Sequence, residues 1–182
     1  MPRFTIVLPL LGVLLLSGAA FALSPTDQQS EEVRAFDTQL ARTSAADALG
    51  YAALHTAGEA LDVRFEVRDG QPGYLVHVLK NDEIITMTID ASTGVVDTPV
   101  PLLQTAAPPL IDERAAAAAL RHSNVAFDEA IAAGERRLRG STIGARLALR
   151  AGRPMVEVSV VRDRQLYRTT IDPTLDIEVE GR

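Results

Sequence analysis

The sequence superposes on itself at an offset of 82 residues without a gap, and this internal correspondence restricts the possible folds more than any other feature. Ala48 falls on Ala130, Gly58 on Gly140, Arg64 on Arg146, Gly70 on Gly152 and Pro72 on Pro154. Val76 meets Val158, Val78 meets Val160, and Thr88-Ile89-Asp90 meets Thr170-Ile171-Asp172. The agreement sits at turn glycines, prolines and alternating valines, where backbone conformation and burial limit the choice of residue. Two copies of one small domain in tandem are the predicted architecture.

The order of elements within a copy follows from its periodicities. Ser44-Ala45-Ala46-Asp47 predicts a helix start, Ala48, Leu49, Ala52 and Ala53 recur near helical spacing, and Gly58 marks the end. The counterpart runs from Phe127 to Leu138, with Ala130, Ile131 and Leu138 on its apolar side, Glu135, Arg136 and Arg137 in water, and Gly140 as its stop. Strands follow. Val63, Phe65 and Val67 alternate with Arg64, Glu66 and Arg68; Asp69-Gly70 supplies a hairpin turn; Tyr74, Val76 and Val78 form the next face. Asn81-Asp82 turns again and Ile85, Met87 and Ile89 continue. The second copy repeats this with Ile143, Ala145, Leu147 and Leu149, then Val156, Val158 and Val160, then Tyr167, Thr169 and Ile171. A last short strand is expected at Val95-Val96 and at Leu175, Ile177 and Val179. Amphipathic segments at Ser30 to Leu40 and Asp112 to His122 precede the two copies, the second alanine-rich enough to be helical on propensity. The expected fold class is α+β: two repeats, each a helix packed on an antiparallel β-meander sheet with its outer face wet.

The chain has 182 residues, and the first 22 read as an export signal. Met1-Pro2-Arg3 brings one positive charge, Phe4 to Leu16 is almost wholly apolar, and Ala20-Phe21-Ala22 places small residues where a signal peptidase reads them. Cleavage after Ala22 leaves about 160 residues to fold. The alternative is an uncleaved anchor, since the apolar run to Leu23 approaches the roughly 20 residues that span a bilayer. The divisions expected are residues 1–22 as signal peptide, 23–98 as the first domain, 99–110 as a linker punctuated by Pro99, Pro101, Pro108 and Pro109, and 111–182 as the second domain. The expected location is periplasmic or extracellular. Hydrophobic residues make up 47% and charged residues 23%, which is globular composition. The absence of cysteine excludes disulfides, thiolate zinc sites, iron–sulfur clusters and a cysteine nucleophile.

A helix, a strand ending in Asp69-Gly70-Gln71-Pro72, the strand Tyr74-x-Val76-x-Val78, and a strand closing in Ile89-Asp90-Ala91-Ser92-Thr93-Gly94 together resemble the PepSY domain. The second copy is similar through Asp128-Glu129-Ala130-Ile131, Gly152-Arg153-Pro154, Val156-Glu157-Val158 and Ile171-Asp172, and departs where Pro173-Thr174-Leu175-Asp176 replaces the Asp-Ala-x-Thr-Gly turn. The resemblance implies a small α+β module that binds and restrains peptidases or other protein partners. It brings neither catalytic residues nor a cofactor.

No other chemistry stands out. His55, His77 and His122 lack the spacing that would set two imidazoles about one metal, so no metal site is expected. G-x-S-x-G and H-E-x-x-H are absent. Glu31-Glu32, Asp82-Glu83 and Asp112-Glu113 read as solvated pairs in loops and first helical turns. Asp90 and Asp172 recur at strand ends, where an aspartate accepts backbone N–H groups two residues on. A non-enzymatic protein is therefore expected.

Charge is the remaining signal. Residues 23–105 hold 13 acids and 5 bases, net −8, whereas residues 106–182 hold 11 acids and 12 bases, net +1. Nine arginines fall between 136 and 168, opposed by Glu157 and Asp163 alone. This concentration suits an acidic partner, an anionic lipid headgroup or the first domain itself. Arg146, Arg150, Arg153, Arg162 and Arg164 are the expected partner-binding residues. Nucleic acid is not expected as a partner, because the chain is acidic overall and aromatics do not interleave the basic stretch. The function expected is the binding, and inhibition or regulation, of a periplasmic peptidase or other envelope protein. The alternative is a small-ligand or envelope-stress sensor.

Overall fold

Residues 32–34, 36, 42–98, 100–101, 109–123 and 126–174 are described by the computed structural model, and they form an α+β fold around one antiparallel sheet. The export segment at 1–22 and the strand expected at Leu175, Ile177 and Val179 lie outside the described residues.

Helix α1, Ala45–Thr56, begins where its cap residues place it. The Ser44 hydroxyl accepts from the Asp47 amide at 3.1 Å, and the Asp47 carboxylate accepts from the Ser44 amide at 3.0 Å. The bonds from Ser44 hold the Asp47 carboxyl below its ordinary pKa. The chain then runs through β1 (Glu59–Arg68), β2 (Gln71–Lys80) and β3 (Glu83–Asp90) as a meander. A two-residue strand β4, Val100–Pro101, pairs with β3. Helices α2 (Pro109–Ser123) and α3 (Phe127–Leu138) lead into a second meander, β5 (Ser141–Arg150), β6 (Arg153–Arg162) and β7 (Gln165–Ile171). Residues 32–34 and 36 are helical, and Val33 is buried in the core.

The sheet order is β4-β3-β2-β1-β5-β6-β7. The first strands of the two meanders are therefore neighbours at its centre. Their antiparallel seam pairs Asp62 with Arg146, Val63 with Ala145 and Arg64 with Gly144. One cluster of buried side chains runs across it, from Ala48, Val63 and Val76 to Ile131, Ala145 and Val158. Helix α1 lies on β1 and β2, α3 on β6 and β7, and the two helices touch. Helix α2 packs on β5 and β6 and reaches β1.

Both hairpin turns of each meander place consecutive residues at positive φ, the conformation that tight antiparallel hairpins require. These are Asp69-Gly70 and Asn81-Asp82 in the first, Ala151-Gly152 and Asp163-Arg164 in the second. A bulge interrupts β1 at Leu61 and β5 at Ile143.

Three expectations need correction. Gly58 and Gly140 are not the left-handed helix terminators: Ala57 (φ 53°) and Arg139 (φ 55°) take that conformation. The glycines are needed for space, because a Cβ at Gly58 would stand 2.5 Å from Val78 Cγ1 and one at Gly140 2.5 Å from the Val161 carbonyl oxygen. Glu135 is not solvated; it is half-buried and accepts from the Thr142 amide at 2.8 Å. Finally, Val100–Pro101 form a strand within the stretch read as linker, and Pro109 opens α2. Proline, having no N–H to give, is tolerated on an edge strand.

Candidate binding groove across the seam

Successive side chains of a strand point to opposite faces of a sheet. Helix α3 covers the Val158 face, where Gly134 allows its backbone against that valine. Asp62, His77, Arg146 and Glu157 each lie one position from a residue of that buried set, so they occupy the other face. The strand registers align them into one row: His77 opposite Asp62, Asp62 opposite Arg146, Arg146 opposite Glu157, Glu157 opposite Thr170. A second row, two residues along, runs Arg64, Gly144, Ser159, Arg168. Both rows line an open groove of about 650 Å³ that straddles the seam, with Glu32 and Arg150 also on its wall.

Within the groove the charges are partly spent on each other. His77 Nδ1 lies 2.7 Å from Asp62 Oδ2, and both side chains are only 19% exposed. Arg146 Nε donates to Glu157 Oε2 at 2.8 Å, and Arg150 Nη2 donates to Glu157 Oε1 at 2.6 Å. Burial pushes the Glu157 carboxyl up, but the bonds and charges of Arg146 and Arg150 outweigh it and hold the group below its ordinary value. The Arg146 and Arg150 side chains are 59% and 61% exposed, so they reach solvent while clamped from one side. Arg64 has a single distant acidic neighbour, Glu66 at 3.9 Å, which itself lies 2.7 Å from Arg68. Arg168 has no ion-pair or hydrogen-bond partner among the described residues.

The five arginines singled out from the sequence do not form one cluster. Arg146 and Arg150 line the groove. Arg153 donates to Asp172 Oδ2 at 3.0 Å, securing the strand-end turn in which Asp172 also accepts from the Thr174 amide and hydroxyl. Arg162 donates to the Leu138 carbonyl at the end of α3 and stacks 4.5 Å from the Tyr167 ring centroid. Arg164 sits at positive φ in the β6–β7 turn. Sequence reasoning missed Arg64, Asp62 and Ser159 as neighbours of this arginine group, since only the β1–β5 pairing brings the first meander to it.

Other expected polar residues have local partners. His55 Nδ1 donates to the Tyr51 carbonyl at 2.8 Å in the last turn of α1. Asp90 Oδ1 accepts from the amides and hydroxyls of both Ser92 and Thr93, and Gly94 follows at φ 73°. The His122 side chain lies outside the described residues. Among those described, no three His, Cys, Asp or Glu side chains gather where they would hold a metal ion. No described helix is long and apolar enough to cross a membrane.

Comparison with known protein families returns no match, and neither does comparison with curated proteins. Among solved structures, the chain is similar to the crystal structure of a "putative lipoprotein" from Clostridium difficile 630, with 15% identity and a TM-score of 0.43 over 77% of this chain and 92% of that one. At that level the likeness transfers neither fold nor function.

Proposed function

We propose that this chain is an exported, non-enzymatic binding protein built from two tandem PepSY-like domains, residues 23–98 and 111–182, which docks on and restrains a periplasmic or extracellular peptidase or another envelope protein. Support for the tandem reading comes from local features at the 82-residue offset: the turns at Asp69-Gly70 and Ala151-Gly152, the bulges at Leu61 and Ile143, and the left-handed Ala57 and Arg139. The seam is centred on Val63 and Ala145, themselves equivalent under that offset, so each half presents the same strand to the other.

The observation that carries the binding reading is the groove across the seam, a charged, open surface assembled from both halves. Its mixture of exposed guanidinium groups with clamped carboxylates suits a polar protein surface, because such groups steer association and fix register. The second reading, a small-ligand or stress sensor, draws on the groove volume, which falls within the usual range for ligand pockets. The charged lining favours the protein partner.

A crosslinking pull-down from an envelope extract at low and high salt tests the reading. Wild-type protein is expected to recover a specific envelope protein, less of it at high salt, and an Arg146→Gln, Arg150→Gln double variant is expected to lose it. Recovery indifferent to both salt and substitution would sink the arginine-mediated reading.

A further inference from the structure

The row Arg64, Gly144, Ser159, Arg168 crosses four consecutive strands, β1, β5, β6 and β7. At one strand spacing per step the two arginines stand about 14 Å apart at their Cα atoms. Between them the floor is one residue with no side chain and one with a single hydroxyl. All four line the groove. The neighbouring row has the opposite character: its Asp62 and Glu157 are engaged by His77 and by Arg146 with Arg150. Among the described residues Arg168 has no ion-pair partner and Arg64 only the more distant Glu66 at 3.9 Å, and the two stand on either side of the small-residue floor. The Ser159 hydroxyl lies between them as a donor.

We propose that this notch binds one acidic side chain of a polypeptide partner, with Arg64 and Arg168 as its cationic walls and Ser159 as a hydrogen-bond donor. The proposal rests on the protein-binding reading above and names the group the groove recognises. A singly charged carboxylate suits the notch better than a phosphate. Four arginines, Arg64, Arg146, Arg150 and Arg168, and three carboxylates, Glu32, Asp62 and Glu157, line the groove, which leaves one net positive charge to meet one negative, and two guanidinium groups and a hydroxyl match the acceptor geometry of a carboxylate. The notch exists only because β1 meets β5, so neither half alone supplies it.

The test is an NMR titration of the full chain, as processed by its host, with the peptide Ala-Ala-Glu-Ala-Ala blocked at both ends, its Gln counterpart, and inorganic phosphate. The Glu peptide is expected to shift the Gly144 and Ser159 amide signals saturably. Affinity should fall roughly tenfold in Arg64→Gln and in Arg168→Gln, which each remove one charged donor, and stay unchanged in Arg136→Gln on the exposed side of α3. The Gln peptide should leave the signals in place. No shift with the Glu peptide, equal binding of phosphate, or indifference to both groove substitutions would overturn the proposal. Failure here with the salt-sensitive capture of an envelope protein intact would leave the protein-binding reading standing on Arg146 and Arg150; failure of both would remove it.

Discussion

Asp90 carries four hydrogen bonds on a single oxygen, from the amides and hydroxyls of Ser92 and Thr93. The Ser92 and Thr93 hydroxyls lead in lowering its pKa to about 2. Because the folded value lies below the unfolded one, the turn contributes stability that is fully present above about pH 4 and disappears as pH falls through about 2. The carboxylate is solvent-exposed, so screening keeps the contribution modest, and Asp90→Asn is expected to cost about 1 kcal/mol at neutral pH. Urea unfolding between pH 2 and pH 5 checks this: the wild type should lose an increment of stability across that window that the variant never had. An equal pH dependence in the two proteins would show that the turn is not the source.

The helix-to-strand junctions of the two meanders make the same spatial demand. At Gly58 and Gly140 an added methyl would meet a valine methyl and a carbonyl oxygen of the neighbouring hairpin at 2.5 to 2.7 Å. Backbone cannot move aside as a flexible side chain can, so Gly58→Ala and Gly140→Ala are each expected to destabilise by about 1 to 3 kcal/mol, and by similar amounts. For a chain of this size each kcal/mol corresponds to roughly 2 to 4 °C in Tm. A thermal melt in which either variant matches wild type would mean that the junction is looser than described. These elements were the most readable part of the sequence. Alternating valines on β2 and β6 and the Ser44-x-x-Asp47 cap write the geometry locally, and the structure puts strands and helix start where they indicate. The glycines were read in the right places for the wrong reason, since a steric requirement set by a distant strand leaves the same letter as a left-handed cap.

Across the whole molecule, the seam converts two meanders into one sheet with a continuous core. Shared burial couples the halves, so hydrogen exchange is expected to report a single global opening, with β2 and β6 amides protected to the same free energy. Two separate values would mean that the halves open independently. The seam was also what the sequence could not disclose. β1 and β5 alternate like any other strand here, and pairing between edges uses backbone groups that every residue has. The arginine-rich stretch was visible as composition, but two of its members, Arg153 and Arg162, turned out to brace the fold, while Arg64, far away in sequence, joined the groove.

That central pairing has one more consequence. Each half offers its first strand as a mating edge, and the two edges are near-equivalents joined in a register of three residue pairs. The same surface that closes one chain on itself is available to close two chains on each other, each lending its second half to its neighbour's first. Domain-swapped dimers would then carry two complete grooves, formed without a new contact and favoured when concentrated chains refold together.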